Sequence, residues 1–150
     1  MATSTIPAAI DGILAGLRAA AALTGVTIFD GQPTTDDDPD FIAIGFGDDL
    51  GAAVVGQQKP AALGNLRREE TYEINCEVSS WLGDAVMKTV RDRAFTNLAA
   101  IENVVRNDGT LAGTVTFGDF GRSFQVIQVQ TVQGAVCSIR FTINVVITRI

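Results

Sequence analysis

Histidine is missing altogether from this 150-residue chain, which removes the commonest general base and the commonest metal ligand together. A Ser-His triad is excluded with it, although Ser79, Ser80, Ser123 and Ser138 are present. Cysteine is limited to Cys76 and Cys137, too few for a zinc cluster or a disulfide framework. Each sits in a strand-like run and reads as a buried small hydrophobe. Glu73, Asn75 and Glu77 offer Cys76 no basic neighbour that would lower a thiol pKa. Lysine occurs only at Lys59 and Lys88, and the 11 basic residues are outnumbered by 17 acids, a net charge of −6. Duplex DNA and anionic membranes attract the opposite sign. Long hydrophobic runs are also missing. The most continuous one near the C-terminus, Val145 to Ile147, is far short of the ~20 residues of a membrane helix. The opening MATSTIPAAIDGILAGL lacks a basic n-region and is not a signal peptide. The expectation is a cytoplasmic chain with reduced thiols, no cofactor and no membrane partner.

What is present describes a globular chain. Hydrophobic residues make up 47% and charged residues 19%, too apolar for disorder. The length fits one domain spanning residues 1–150, and the apolar content leaves room for an interface with other chains.

The first helix is expected from Thr5 to Leu23. Ser4 or Thr5 caps it, Pro7 occupies the first turn, and Ile6, Ile10, Ile13, Leu14 and Leu17 share a face. Gly25 ends it, and short strands follow at Val26–Phe29 and Phe41–Phe46. From Tyr72 to Ser79, apolar and polar residues alternate with the period of a half-exposed antiparallel strand. Asp84 caps the strongest helix, whose stripe is Val86, Val90, Ala94, Leu98, Ile101 and Val105. A strand from about Val115 to Val132 changes phase between Val126 and Ile127, the mark of a β-bulge. The last strand sets Cys137, Ile139, Phe141, Ile143, Val145 and Ile147 on one face. The fold class is therefore α+β, in the order α-β-β-loop-β-α-β-β. A mostly antiparallel sheet of four or five strands carries two helices on one face.

Two stretches resist this pattern. Asp36, Asp37, Asp38 and Asp40 crowd the turn before the second strand. The calcium-loop spacing with its central glycine is absent, so the cluster reads as a solvated acidic loop rather than a metal site. From Asp48 to Arg68, Gly51, Gly56, Pro60 and Gly64 interrupt weakly apolar pieces, and a loop is expected. Acids and bases divide unevenly, with eight acids and one base (net −7) in residues 1–50 and nine acids against ten bases (net +1) in residues 51–150. Trp81, the sole tryptophan, is either core or an interface anchor, with core preferred.

The ordered features resemble a known family. They are the helix at ATSTIPAAIDGILAGLRAA, the strand–loop–strand at VTIFDGQPTTDDDPDFIAIGF, the polar strand at RREETYEINCEVSSWLGD, the helix at AVMKTVRDRAFTNLAAIENVVRND and two closing strands. Together they resemble the tail terminator proteins of long-tailed bacteriophages, the lambda U protein-like class. The resemblance rests on element order across the whole chain, since that family carries no catalytic motif. It implies a structural virion protein rather than an enzyme. Copies form a homo-oligomeric ring, usually a hexamer, at the head-proximal end of the tail. The ring binds the tail tube protein, ends its polymerisation and meets the head-side connector protein, with DNA only as passing cargo. Assembly would take place in the host cytoplasm. Under this resemblance the 48–68 loop becomes an oligomer interface, with Leu50, Val54, Val55, Leu63, Arg67 and Arg68 as its contact residues. A head-completion or neck protein is the nearest alternative. A small hydrolytic or ligand-binding domain is the alternative of a different class.

Overall fold

Helix α1 (Ile6–Ala19) starts where Ser4 Oγ accepts the Ile6 N–H at 3.1 Å, with proline in the first turn. Thr5 is the N-cap by position, but its hydroxyl is used elsewhere, and Ser4 acts from just outside the helix. The helix ends at Ala19, earlier than expected, and a 3-10 turn (Ala21–Leu23) carries the chain to Gly25. The computed structural model describes residues 3–34, 39–47, 51–62, 67–84 and 86–150, with Arg122 as backbone only.

Strands β1 (Thr27–Asp30), β2 (Asp40–Ile44), β3 (Val54–Pro60) and β4 (Arg68–Leu82) come next. Helix α2 (Met87–Asn107), β5 (Phe117–Thr131) and β6 (Gly134–Arg149) complete the chain. They form an α+β fold with a six-stranded mixed sheet in the order β1-β2-β4-β6-β5. β3 lies off this path, against β4. Only β1 and β2 run parallel; every other pairing among the described residues is antiparallel.

β4 is the spine. One edge pairs with β6 along its length, and the other is shared by β3 on Arg68–Ile74 and β2 on Cys76–Ser80. Both helices contribute to a single core on one face of the sheet. Ile13, Leu17, Val90, Ile101 and Val105 meet Ile74, Val78, Ile139 and Ile143 there, all at most 2% exposed. Each such side chain contributes about 1.5–3 kcal/mol by leaving water. Cys76 and Cys137 lie in this core, as small hydrophobes should.

Several expectations are corrected. Among the described residues the sheet has six strands rather than four or five, because the segment read as a loop from 48 to 68 contains β3. Gly56 and Pro60 suggested a break, yet Gly56 is what lets β3 approach β4, since a Cβ there would fall 2.5 Å from that of Tyr72. Pro60 closes the strand on an edge, where its missing N–H costs nothing. The irregularities of β5 fall between Phe117 and Gly118 and between Phe120 and Phe124, not at Val126–Ile127. At the second, Gly121 passes so close to Thr142 that a Cβ would lie 2.0 Å from its hydroxyl. Trp81 is 48% exposed rather than core, since β4 alternation turns it to the face without helices. The α2 N-cap is Val86, and Asp84 acts from outside the helix by accepting the Val86 N–H at 3.2 Å.

Candidate functional site

β3 and the start of β4 build a hairpin arm whose β3 strand has, among the described residues, an unpaired outer side, while β4 is backed by β6. Six of the seven β3 residues are exposed, among them Val55 at 57%. Val54 is half-buried and packs on the core. This is the segment expected to form the interface, and the strand presents it in a defined geometry. Arg68 is engaged within the chain, donating to Gln58 Oε1 at 2.9 Å while its backbone pairs with Ile150. Arg67 is exposed beside it, and its carbonyl accepts the Ala61 N–H at 3.0 Å. Leu50 and Leu63 lie outside the described residues.

A buried carboxylate fastens the arm to α1. Glu70 is 2% exposed. Its Oε1 accepts the Thr5 N–H at 2.9 Å and the Thr5 hydroxyl at 2.8 Å, and Oε2 accepts Gln58 Nε2 at 2.6 Å. The Thr5 hydroxyl also meets Tyr72 OH at 2.9 Å. Burial pushes the Glu70 pKa up, but hydrogen bonds from Gln58, Thr5 and Ser4 outweigh it and hold the carboxyl below the usual glutamate range. Burial, with the Glu70 charge, raises the Tyr72 phenol. Glu70 is saturated with donors and holds the N-terminus, β3 and β4 at one point, which is a fastening role.

This cluster is hidden in the sequence, because Glu69 and Glu70 directly follow Arg67 and Arg68 and suggest neutralisation between neighbours. Glu69 turns instead to Lys59 at 3.5 Å and Arg149 at 3.8 Å. The available signal was parity, since Glu70 shares a strand face with Tyr72, Ile74 and Cys76.

Of the acidic loop, Asp36, Asp37 and Asp38 lie outside the described residues. Asp40 opens β2 and pairs with Arg93 of α2 at 2.5 Å, tying the loop's end to the helix. Among the described residues no three acidic or thiol side chains gather as a metal site. No described helix is long and apolar enough to cross a membrane.

The helix-free face of the sheet is polar. Glu73, Asn75 and Glu77 of β4 stand across from Asn144, Thr142 and Arg140 of β6. Ser79 and Ser138 share a hydrogen bond at 3.0 Å, and Arg140 Nε lies 3.9 Å from Glu77. Two adjoining hollows of about 400 and 390 Å³ open here, meeting at Ser123 and Thr142, with Phe46 and Phe124 on the rim of the first. Cys76 borders the first hollow, and burial pushes its thiol up to about 12 and raises that of Cys137, which disfavours a thiolate at either. What the described surface offers is the exposed strand β3, a polar sheet face and the unpaired outer side of β5. In comparisons of the sequence, no protein-family model and no curated protein matches the chain.

Proposed function

We propose that this chain is a structural virion protein of a long-tailed bacteriophage. It forms a homo-oligomeric ring, of six copies, at the head-proximal end of the tail tube. There it ends tube polymerisation and joins the tail to the head-side connector. The observation that carries this reading is the β3–β4 arm, an ordered strand exposed at six of seven positions and anchored by buried Glu70. Among the described residues β3 is paired with β4 on one side only and leaves most of its side chains and its outer edge uncovered within its own subunit, which suits a neighbouring subunit or the tube. The resemblance in element order supplies the identity of those neighbours. The net charge of −6 suits a ring through which DNA slides without being held.

Deletion of this protein from its parent phage tests the reading. Tube subunits add identically at an uncapped end, so tails in the lysate should grow beyond normal length and fail to join heads. Electron microscopy gives the length distribution. Free tails of normal length would remove the terminator assignment and favour a head-side neck protein instead.

A further inference from the structure

Among the described residues β1, β3 and β5 each have an unpaired side, and β5 and β1, at the two ends of the strand order, are unlike in chemistry and complementary in direction. β5 forms one edge. The stretch from Ser123 to Gln133 carries no charge, no proline and no glycine. Phe124 is 60% exposed, Val129 50% and Val132 101%. Proteins that remain apart keep their edge strands short, charged or broken, because an open row of backbone donors and acceptors recruits another strand. β5 is fifteen residues long, and among the described residues nothing pairs with its outer side.

The opposite edge, at the same height on the sheet, is β1. Following the register across the strands, Val126 stands level with Ile139, Val78, Ile42 and Ile28, while Ile127 stands level with Ser138, Ser79, Phe41 and Thr27. β1 runs with β2 and against β4, whereas β5 runs with β4. The two edges are therefore antiparallel. A second copy rotated about an axis along the strands brings its β1 to this β5 in the antiparallel sense, the more stable pairing per residue.

We propose that β5 of one copy adds to β1 of the next, making the sheet continuous between subunits. The seam deepens the ring reading above and rests on it for closure. The occupant is another copy of this chain because the chain itself holds the matching edge. At level register the strand faces also agree. Val126 would meet Ile28 on the helix side, and Ile127 would meet Thr27 on the open side. β1 itself carries only Asp30, at its end, as an ionisable residue. Arg18 of α1 borders this edge and donates to the Ile28 carbonyl at 3.4 Å, a bond that strand addition exchanges for a backbone one. Each copy presents both edges, so addition is head to tail, and it closes into a ring when the rotation allows.

Disulfide trapping in the full chain tests the seam. In Thr27→Cys/Ile127→Cys, mild oxidation should give a ladder of covalent oligomers on a non-reducing gel. A mixture of the two single variants should stop at dimers, and neither single variant alone should cross-link. Dimers from Ile127→Cys alone would show a two-fold β5–β5 contact and overturn the proposal. So would the lack of a ladder, whether the wild type is oligomeric or monomeric by sedimentation. An oligomeric ring without a ladder would leave the ring reading standing on another interface. The variant Gln125→Lys/Val129→Lys places charge on exposed edge positions. It should keep its circular dichroism spectrum and weaken self-association by roughly tenfold or more. Unchanged association would also overturn the seam. The tail-length test reads the terminator assignment independently of both.

Discussion

Glu70 accepts two hydrogen bonds on one carboxylate oxygen from Thr5, sixty-five positions away in the chain, at 2.9 Å from the backbone N–H and 2.8 Å from the hydroxyl. The start of α1 is thereby tied to the arm that the proposed ring uses. Replacing Glu70 by Gln keeps the shape but sets an amide donor against donors already present. Leaving such buried groups unsatisfied costs about 1–3 kcal/mol. Urea denaturation should show that loss, and hydrogen exchange should speed up in both the first turn of α1 and β3. Loss of protection in α1 alone would mean that the arm is held by its backbone pairing with β4.

Acid should act through the same carboxylate. The folded-state pKa of Glu70 lies below the unfolded value, so unfolding in acid takes up a proton. The stabilisation is present above the ordinary glutamate pKa of about 4.3 and is lost as pH falls through the folded value. Stability should therefore decline below that range. Glu70→Gln should show a shallower decline, measured as denaturation midpoints across an acid series.

The two thiols should be silent in the native protein. With the Cys76 pKa pushed up to about 12 by burial and Cys137 raised as well, little thiolate exists at neutral pH. A colorimetric thiol reagent should react with neither in buffer and with both in denaturant. Fast labelling of the folded chain would show that the core opens at β4 or β6.

Gly121 sits where β5 crosses Thr142 too closely for any side chain, with a Cβ placed 2.5 Å from the Thr142 carbonyl oxygen. Gly121→Ala should cost roughly 1–3 kcal/mol through forced backbone shifts. In contrast, Ala112 holds a left-handed φ of 62° at an exposed turn. Ala112→Gly should raise the melting temperature by relieving that conformation, a gain of up to about 1 kcal/mol. Thermal melts of the two variants should shift in opposite directions.

Val55 separates folding from assembly. It is 57% exposed and stands opposite Glu73 across the β3–β4 pair, so Val55→Lys, which sets a cation against that carboxylate, should change stability by no more than about 1 kcal/mol. Under the proposed function it should fail to restore normal tails in a deletion lysate. Full complementation by this variant would move the contact surface away from the outer face of β3.

Both helices, β4 and β6 were legible because their signal is local. The stripe of Val90, Ala94, Leu98, Ile101 and Val105 on α2, and the alternation from Tyr72 to Val78, repeat with the period of the element that buries them. β3 was not legible. Its Val-Val-Gly-Gln-Gln-Lys-Pro stretch buries nothing fully, and it is a strand only because β4 offers a paired backbone from Arg68 to Ile74. Of the candidate interface, Val54, Val55, Arg67 and Arg68 were expected on a loop, and the structure sets them on the β3–β4 hairpin instead. The Glu70 fastening joins positions that no periodicity connects, although strand parity already pointed that carboxylate inward.

By itself the sequence determined the α+β class, the two helices and most of the core, Trp81 and Val86 excepted, since apolar periodicity selects which face leaves water wherever the chain goes. Its lack of histidine also removed whole classes of chemistry, whatever the fold. Tertiary structure alone decided the parallel pairing of β1 with β2, the stepped edge where β3 and β2 share β4, and the height at which β1 and β5 stand opposite each other. Those are relations between backbones distant in sequence. They are selected by hydrogen bonds that any residue except proline can make, and so they leave little trace in residue type.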